Sequence, residues 1–197
     1  MKKINKNNSA SILIFSLLTF NANADIEDWY TFWSFGLADH QYKEPVRSKV
    51  NQVEALPGVS RMEIALDMAG LYVPVGEKGN TIAGFVINAS SDRLHNSLDH
   101  IQLKQYLYGV SMMHFFGREP GDGWFLRGDI GTLRLRLSAS RDISLADNNG
   151  SGYVVGIGYG IPVSPESRII FSLTSASRSV KHDEFNNSIA FNIGGLW

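Results

Sequence analysis

Two short groups of residues have the composition of an acyl-transfer site, and the first is His95-Asn96-Ser97. A histidine close to a serine can accept the hydroxyl proton while the serine oxygen attacks a carbonyl carbon. Asp92 or Asp99 is near enough in sequence to orient such an imidazole. We expect this group in the second loop, where polar residues are also common without any catalytic role.

The second group combines residues from two predicted loops. His40 stands at the start of the first loop, and Ser91 and Asp92 begin the second. A serine, a histidine and a carboxylate at the same end of a molecule have the functional groups for acyl transfer. Neither group belongs to a longer sequence motif, so polar loop residues without a catalytic role are the favoured interpretation.

The composition indicates little other chemistry. The chain has no cysteine, so it has no disulfide, no thiolate nucleophile and no cysteine-based metal site. The run His182-Asp183-Glu184 has no further ligand spacing elsewhere, and we predict neither a metal site nor a cofactor. Lys and Arg number 18 against 19 Asp and Glu. Because basic residues do not cluster in the sequence, nucleic acid is not an expected partner.

The first 24 residues have the features of a secretory signal peptide. Three lysines, at positions 2, 3 and 6, precede an apolar run at residues 12–20 and the small-residue triplet Ala22-Asn23-Ala24. The run is about nine residues long, whereas a spanning helix needs about twenty. We therefore predict a signal peptide at residues 1–24 and a mature domain at residues 25–197, in which any membrane residence depends on strands.

Eight segments of the mature chain alternate apolar with small or polar side chains, as strands do. Their connections alternate in length, and the short ones are residues 76–80, 117–123 and 164–167. Short periplasmic turns with longer extracellular loops are typical of outer-membrane barrels. We predict an all-β fold, an eight-stranded antiparallel up-and-down transmembrane β-barrel. The strands are expected at residues 29–40, 61–75, 81–90, 100–116, 124–138, 152–163, 168–180 and 188–197.

Alternation is clearest in the sixth predicted strand. Its large apolar residues are expected to face lipid, and Gly156, Gly158 and Gly160 are expected to face a crowded interior. The predicted outward set is Tyr153, Val155, Ile157, Tyr159, Ile161 and Val163. In the second strand the predicted outward set is Met62, Ile64, Leu66, Met68 and Tyr72.

Charged residues on the opposite strand faces predict a charge network inside the barrel. In the fifth strand we expect Leu133 and Leu135 to face lipid, which requires a bulge near Gly131-Thr132. An eight-stranded barrel is filled by side chains, so buried charges must be paired. A structural network is favoured over a gated ion path. Its predicted members are Glu63, Asp67, Lys104, Arg127, Asp129, Arg134 and Arg136.

The closing strand of the chain alternates and ends on an aromatic residue. Phe191, Ile193 and Trp197 fall on one face, as expected for a strand with an apolar side toward lipid and a ring at the interface. With the signal peptide, this strand predicts the outer membrane of a Gram-negative bacterium.

These features together resemble the small outer-membrane barrels of the OmpA-transmembrane-domain and OmpX kind. The resemblance rests on Ala22-Asn23-Ala24, the eight-strand layout, residues 124–131 (WFLRGDIG) and residues 191–197 (FNIGGLW). It implies folding by the outer-membrane assembly machinery, with Phe191, Ile193 and Trp197 in the recognition signal. It also implies contact with outer-membrane lipid and lipopolysaccharide, and it names no extracellular partner.

The resemblance leaves the function open, because one fold carries many activities. A non-enzymatic structural or surface-interaction role is the first expectation. A lipid A-modifying deacylase or acyltransferase is the second, and a narrow channel for small solutes is the third. The first loop, residues 41–60, has valines at helix-like spacing, and a short amphipathic helix and an ordinary loop are equally expected there.

Overall fold

The computed structural model describes residues 29–76, 78–96, 100–139, 143–180 and 183–197. The predicted signal peptide, Ser97, Asp99 and His182 lie outside these ranges. Eight antiparallel strands form a closed barrel in which each strand pairs with the next and the last pairs with the first. The strands are β1 (Tyr30–Tyr42), β2 (Ser60–Val75), β3 (Thr81–His95), β4 (His100–Phe115), β5 (Gly123–Ala139), β6 (Ile143–Pro162), β7 (Arg168–Val180) and β8 (Asp183–Leu196).

The predicted strand count and topology are confirmed, whereas several strands are longer than predicted. The main extensions are at the loop ends, where β3 continues to His95 and β6 begins at Ile143. Backbone hydrogen bonds between Thr31 and Trp197 close the barrel beyond the last strand residue, with N–O distances of 2.6 and 3.1 Å. Closure of β1 on β8 leaves no exposed sheet edge.

The outer wall of the barrel is apolar. Leu37 is 74% exposed and Phe85 is 72% exposed, and large apolar side chains are exposed on all eight strands. The sixth strand follows its predicted alternation, with Tyr153, Ile157 and Tyr159 outward. An apolar outer wall on a closed antiparallel barrel is the arrangement that spans a membrane.

One helix, α1 (Val46–Glu54), lies in the first long connection. Val46 and Val50 pack against an apolar cluster of Tyr42, Leu103 and Leu135 at that end of the barrel. The first loop is therefore helical and covers part of the mouth. Among the described residues, no helix has the length and apolar character to cross a membrane.

The interior is filled in layers. The end opposite α1 holds an apolar plug, and a second, smaller apolar cluster consists of Leu107, Leu133, Val154 and Ala176. A third lies under α1. The plug consists of Phe32, Tyr72, Ile82, Met113, Phe115, Phe125, Ile170 and Leu196.

In two strands, residues predicted to face lipid face inward, and packing inside the barrel explains both differences. A register shift between Asp67 and Ala69 turns Tyr72 inward, where it is fully buried instead of facing lipid. The ladders of β5 show no shift near Gly131-Thr132, so Leu133 and Leu135 point inward. The prediction assumed that apolar residues face lipid, whereas the inside of this barrel needs them for its own apolar clusters.

Three predicted members of the interior network consequently lie on the outer wall. Arg134 and Arg136 are exposed because they alternate with the buried leucines of β5. Lys104 faces outward for the same reason, since it lies between buried Leu103 and Gln105.

Candidate functional site

The interior site is built around the guanidinium of Arg127. Its Nη1 and Nη2 donate to the two carboxylate oxygens of Asp67 at 2.6 and 2.8 Å. Its Nε and Nη2 also donate to Asp129 at 3.0 and 2.7 Å. All three residues are buried, and the contact joins β2 to β5, three strands further round the barrel, through the lumen. One cation therefore holds two carboxylates, and the group carries a net negative charge.

Polar side chains donate further hydrogen bonds to the same carboxylate oxygens. Ser34 Oγ donates to Asp67 Oδ2 at 2.6 Å, and Asn88 Nδ2 donates to Asp67 Oδ1. Ser111 Oγ donates to Asp129 Oδ1 at 2.6 Å and accepts from Tyr72 Oη at 2.9 Å. Buried charges are tolerated when partners of this kind surround them. This network ties five strands together across the centre of the barrel.

A second ionic cluster lies near α1 and centres on Arg61. Its guanidinium contacts Asp92 at 2.7 Å and Glu63 at 2.9 Å. A longer contact of 3.4 Å reaches Glu54 at the end of α1. The backbone N–H of His40 donates to Glu63 at 2.8 Å. Glu63 is thus part of this cluster at the mouth, separate from the central network, and the cluster links α1 to three strands.

A pocket of about 300 Å³ opens beside this cluster under α1. Three basic residues line it, Lys43, Arg47 and Arg61, together with His40 and Tyr42. Its walls also include Gln41, Val50, Asn51 and Asn187. Among the described residues no Asp or Glu lines it, but carboxylates outside the lining hold two of the cations: Glu44 pairs with Arg47 at 3.0 Å, and Asp92 and Glu63 hold Arg61. The pocket is therefore polar, with much of its positive charge already balanced.

The candidate catalytic residues are not brought together. His40 and Asp92 are buried inside the barrel, whereas Ser91 lies on the outer side of β3 and accepts from Gln102 Nε2 at 2.7 Å. His40 Nδ1 lies 3.2 Å from Asn186 Nδ2. His95 is exposed at the end of β3, on the face opposite Asp92. Within the described part of the chain, these side chains form no serine–histidine–carboxylate arrangement.

Metal ligation has no support within the described residues either, because no group of three or more His, Asp or Glu side chains there could hold an ion.

Sequence reasoning missed Arg61 as an interior cation and Ser34, Asn88 and Ser111 as partners of the central carboxylates. Arg61 shares its strand face with Glu63 and Asp67, and that spacing was a usable signal. The serine and asparagine contacts depend on the register between strands, which alternation alone does not reveal.

Comparison with known proteins supports the fold alone. No protein-family model matches the chain, and no curated protein matches it. The crystal structure of Ail, the attachment invasion locus protein of Yersinia pestis, matches with a TM-score of 0.52 and 12% identity, covering 86% of this chain and 99% of Ail. Ail in complex with the heparin analogue sucrose octasulfate matches with a TM-score of 0.53, 12% identity and coverages of 86% and 99%.

The outer membrane protein Ail in a phospholipid bilayer nanodisc gives a TM-score of 0.43 and 10% identity, with 86% of this chain and 100% of that chain covered. At these identities the likeness concerns architecture and no residue role. Combined with the closed ladder of eight strands, it establishes that this chain has the fold of the small eight-stranded outer-membrane β-barrels.

Proposed function

We propose that the protein is a non-enzymatic outer-membrane barrel with a structural or surface-interaction role in the bacterial envelope. The observation that carries this proposal is the contrast between an apolar outer wall and a lumen filled by side chains. A filled eight-stranded barrel is a rigid support for its extracellular loops, and recognition commonly resides in such loops.

The filled lumen argues against a solute channel. Eight apolar side chains pack at one end, and the Asp67–Arg127–Asp129 network crosses the centre. Passage of a hydrated solute requires both layers to open, including ionic contacts that are costly to break when buried.

Lipid A modification is disfavoured by the positions of its candidate residues. A serine on the lipid-facing wall and a histidine inside the lumen, as for Ser91 and His40, cannot share a proton. Ser97 stays a sequence-level candidate, and mass spectrometry of lipid A tests it. Lipid A from cells with and without the protein should be identical, and a change that Ser97→Ala abolishes overturns the non-enzymatic role.

The route to the outer membrane is the second part of the proposal. Export uses the signal peptide at residues 1–24, so the mature chain begins at Asp25. Insertion by the assembly machinery uses the last strand, in which Phe191 and Trp197 are exposed on the outer wall and Ile193 lies between them on the same face. Outer-membrane lipid and lipopolysaccharide then surround the apolar wall.

The mouth pocket favours one more specific role, binding of an anionic group at the surface. Lys43, Arg47 and Arg61 line it. Because Arg61 is held by Asp92 and Glu63, anion binding there depends on Arg47, whose exposed pair with Glu44 is weak. Sucrose octasulfate, the heparin analogue bound by Ail, is a suitable probe, although the likeness to Ail concerns only the fold. The probe should raise the thermal unfolding midpoint of the wild type and raise it less in Arg47→Gln. An equal rise in both proteins contradicts binding at this pocket.

Surface display can be tested with single cysteines, because the natural chain has none. Lys49→Cys lies on α1, and Lys78→Cys lies in the turn between β2 and β3 at the opposite end. A membrane-impermeant maleimide should label only Lys49→Cys on intact cells and both variants after lysis. Labelling of Lys78→Cys alone, or recovery of the protein outside the outer-membrane fraction, contradicts the proposal.

A further inference from the structure

In the described strands, the outward-facing Lys and Arg residues lie in one sector of the wall. Arg93 on β3, Lys104 on β4, and Arg134 and Arg136 on β5 all face outward on three adjacent strands. These four residues are called the basic sector below. They lie toward the α1 end of the barrel, beyond the apolar part of the wall.

The register brings these cations close to one another. Lys104 is directly opposite Arg136 in the β4–β5 ladder, and such partners have Cβ atoms about 4.5–5.5 Å apart. Arg134 is diagonal to Lys104 on one side, and Arg93 is diagonal to it on the other. Like charges directly opposite destabilise a sheet. An anion between them removes that repulsion.

The sector is also depleted of acidic residues. Among the described residues, no Asp or Glu occupies an outward position of β3, β4 or β5. The nearest acidic position in the ladders is Asp147, which pairs with Arg136 on the β6 side. Among the side chains that the structure describes, the outward faces of these three strands carry four Lys or Arg residues and no carboxylate.

The height of the sector matches the lipid headgroups. Tyr106 lies opposite Arg134 at the lower edge of the sector, Tyr108 follows it on β4, and their rings stack with centroids 6.3 Å apart. Toward the membrane centre, the next outward pairs are Tyr108 with Thr132 and then Val110 with Ile130. Tyrosines mark the membrane interface. Lys104 is two residues beyond Tyr106, about 7 Å along the strand, which is the level of the phosphates.

We propose that the basic sector binds the phosphate groups of anionic lipids in the surrounding leaflet. This inference rests on the proposed membrane residence and adds a lipid preference to one side of the barrel. Each Lys or Arg near an anionic membrane surface contributes a favourable interaction that salt weakens. The arrangement of Lys104 between three arginines suits several oxygens of one or two phosphates.

The test compares the wild type with the triple variant Lys104→Gln, Arg134→Gln, Arg136→Gln. Both are folded into phosphatidylcholine vesicles and into vesicles in which one lipid in five is phosphatidylglycerol. The anionic lipid should raise the wild-type unfolding midpoint by about 5 °C and that of the triple variant by much less. A matched control, Lys49→Gln, Lys78→Gln, Arg118→Gln, removes the same charge from exposed positions outside the sector and should respond like the wild type.

Inorganic phosphate added to the phosphatidylcholine vesicles at equal ionic strength separates the two sources of phosphate. It should leave the midpoint unchanged, and a rise equal to that caused by the lipid overturns the assignment to headgroups. Equal responses of the wild type and the triple variant overturn the sector itself. Failure of the wild type to insert into phosphatidylcholine vesicles is a different result, because it contradicts the membrane residence that both proposals require.

Discussion

The carboxylate of Asp67 receives two hydrogen bonds from the guanidinium of Arg127, at 2.6 and 2.8 Å, across the interior of the barrel. The two residues are 60 positions apart in the chain. Their strands are separated by β3 and β4 in the sheet, so this pair crosses the interior. A bidentate contact also fixes orientation, which makes it well suited to hold a closed lumen in one geometry.

Removal of the central cation is expected to destabilise the protein strongly. Arg127→Met leaves the carboxylates of Asp67 and Asp129 buried without their main partner, and such a loss costs about 3–5 kcal/mol. Urea unfolding in detergent micelles or lipid vesicles measures the change. Arg118→Met, in an exposed turn, is the control and should stay within about 0.5 kcal/mol.

Neutralising the whole group should be milder than removing the arginine alone. The combined variant Asp67→Asn, Arg127→Met, Asp129→Asn leaves no unpaired charge at the centre, so its unfolding free energy should exceed that of Arg127→Met. The ionic account of the interior is wrong if Arg127→Met is as stable as Arg118→Met.

Two glycines provide a test of interior packing. A Cβ at Gly158 would lie 2.3 Å from the backbone oxygen of Phe171 and 2.4 Å from the ring of Phe125, whereas one at Gly128 would have no atom within 4 Å. Gly158→Ala should therefore lose about 1–3 kcal/mol through overpacking, and Gly128→Ala should lose nothing. Denaturant unfolding of the two variants makes the comparison. Equal stabilities contradict the close approach of β6 at Gly158 to the Phe125 ring and the Phe171 backbone.

The glycines of β6 show what alternation predicts well. Gly156, Gly158 and Gly160 were expected inside a crowded lumen, and Gly158 does lie against the ring of Phe125. The large apolar residues that alternate with these glycines face outward, where lipid is the environment that suits them. When small and large apolar residues alternate strictly and each type suits only one side of the wall, the sequence alone predicts the strand and which residues face inward.

The leucines of β5 show why the remainder was not predictable. Leu133 and Leu135 are compatible with lipid outside or with an apolar layer inside the barrel. The adjacent arginines are likewise compatible with an ion pair inside or with lipid headgroups outside. The inward orientation of Leu133 follows from its packing against Leu107 and Val154 on the neighbouring strands, which the sequence of β5 alone does not show. The shift at Asp67, which turns Tyr72 inward, likewise depends on pairing between strands.

The revised phase of β5 can be measured with cysteine reporters. Arg134→Cys should react with a maleimide added to the folded protein in vesicles, whereas Leu133→Cys should be protected because Leu133 is buried. Both should react after unfolding. The opposite pattern restores the bulge near Gly131 that the sequence predicted.

Trp197 should matter more for assembly in cells than for stability in detergent. Its backbone closes the barrel by hydrogen bonding to Thr31, and its ring packs edge-on against the ring of Trp33, with 6.1 Å between the ring centroids. Trp197→Phe keeps a terminal aromatic and should reach the outer membrane in normal amounts. Trp197→Ala should accumulate unassembled, as judged by heat-modifiable gel mobility of outer-membrane fractions. Normal assembly of Trp197→Ala contradicts its place in the recognition signal.

The lumen is closed by its own side chains, and electrical recording in planar lipid bilayers tests that closure directly. The folded wild-type protein should insert and give no discrete current steps, because the apolar plug and the Asp67–Arg127 pair both obstruct the path. Reproducible steps of constant size, increasing in number with the amount of inserted protein, would show an open pore and contradict the account.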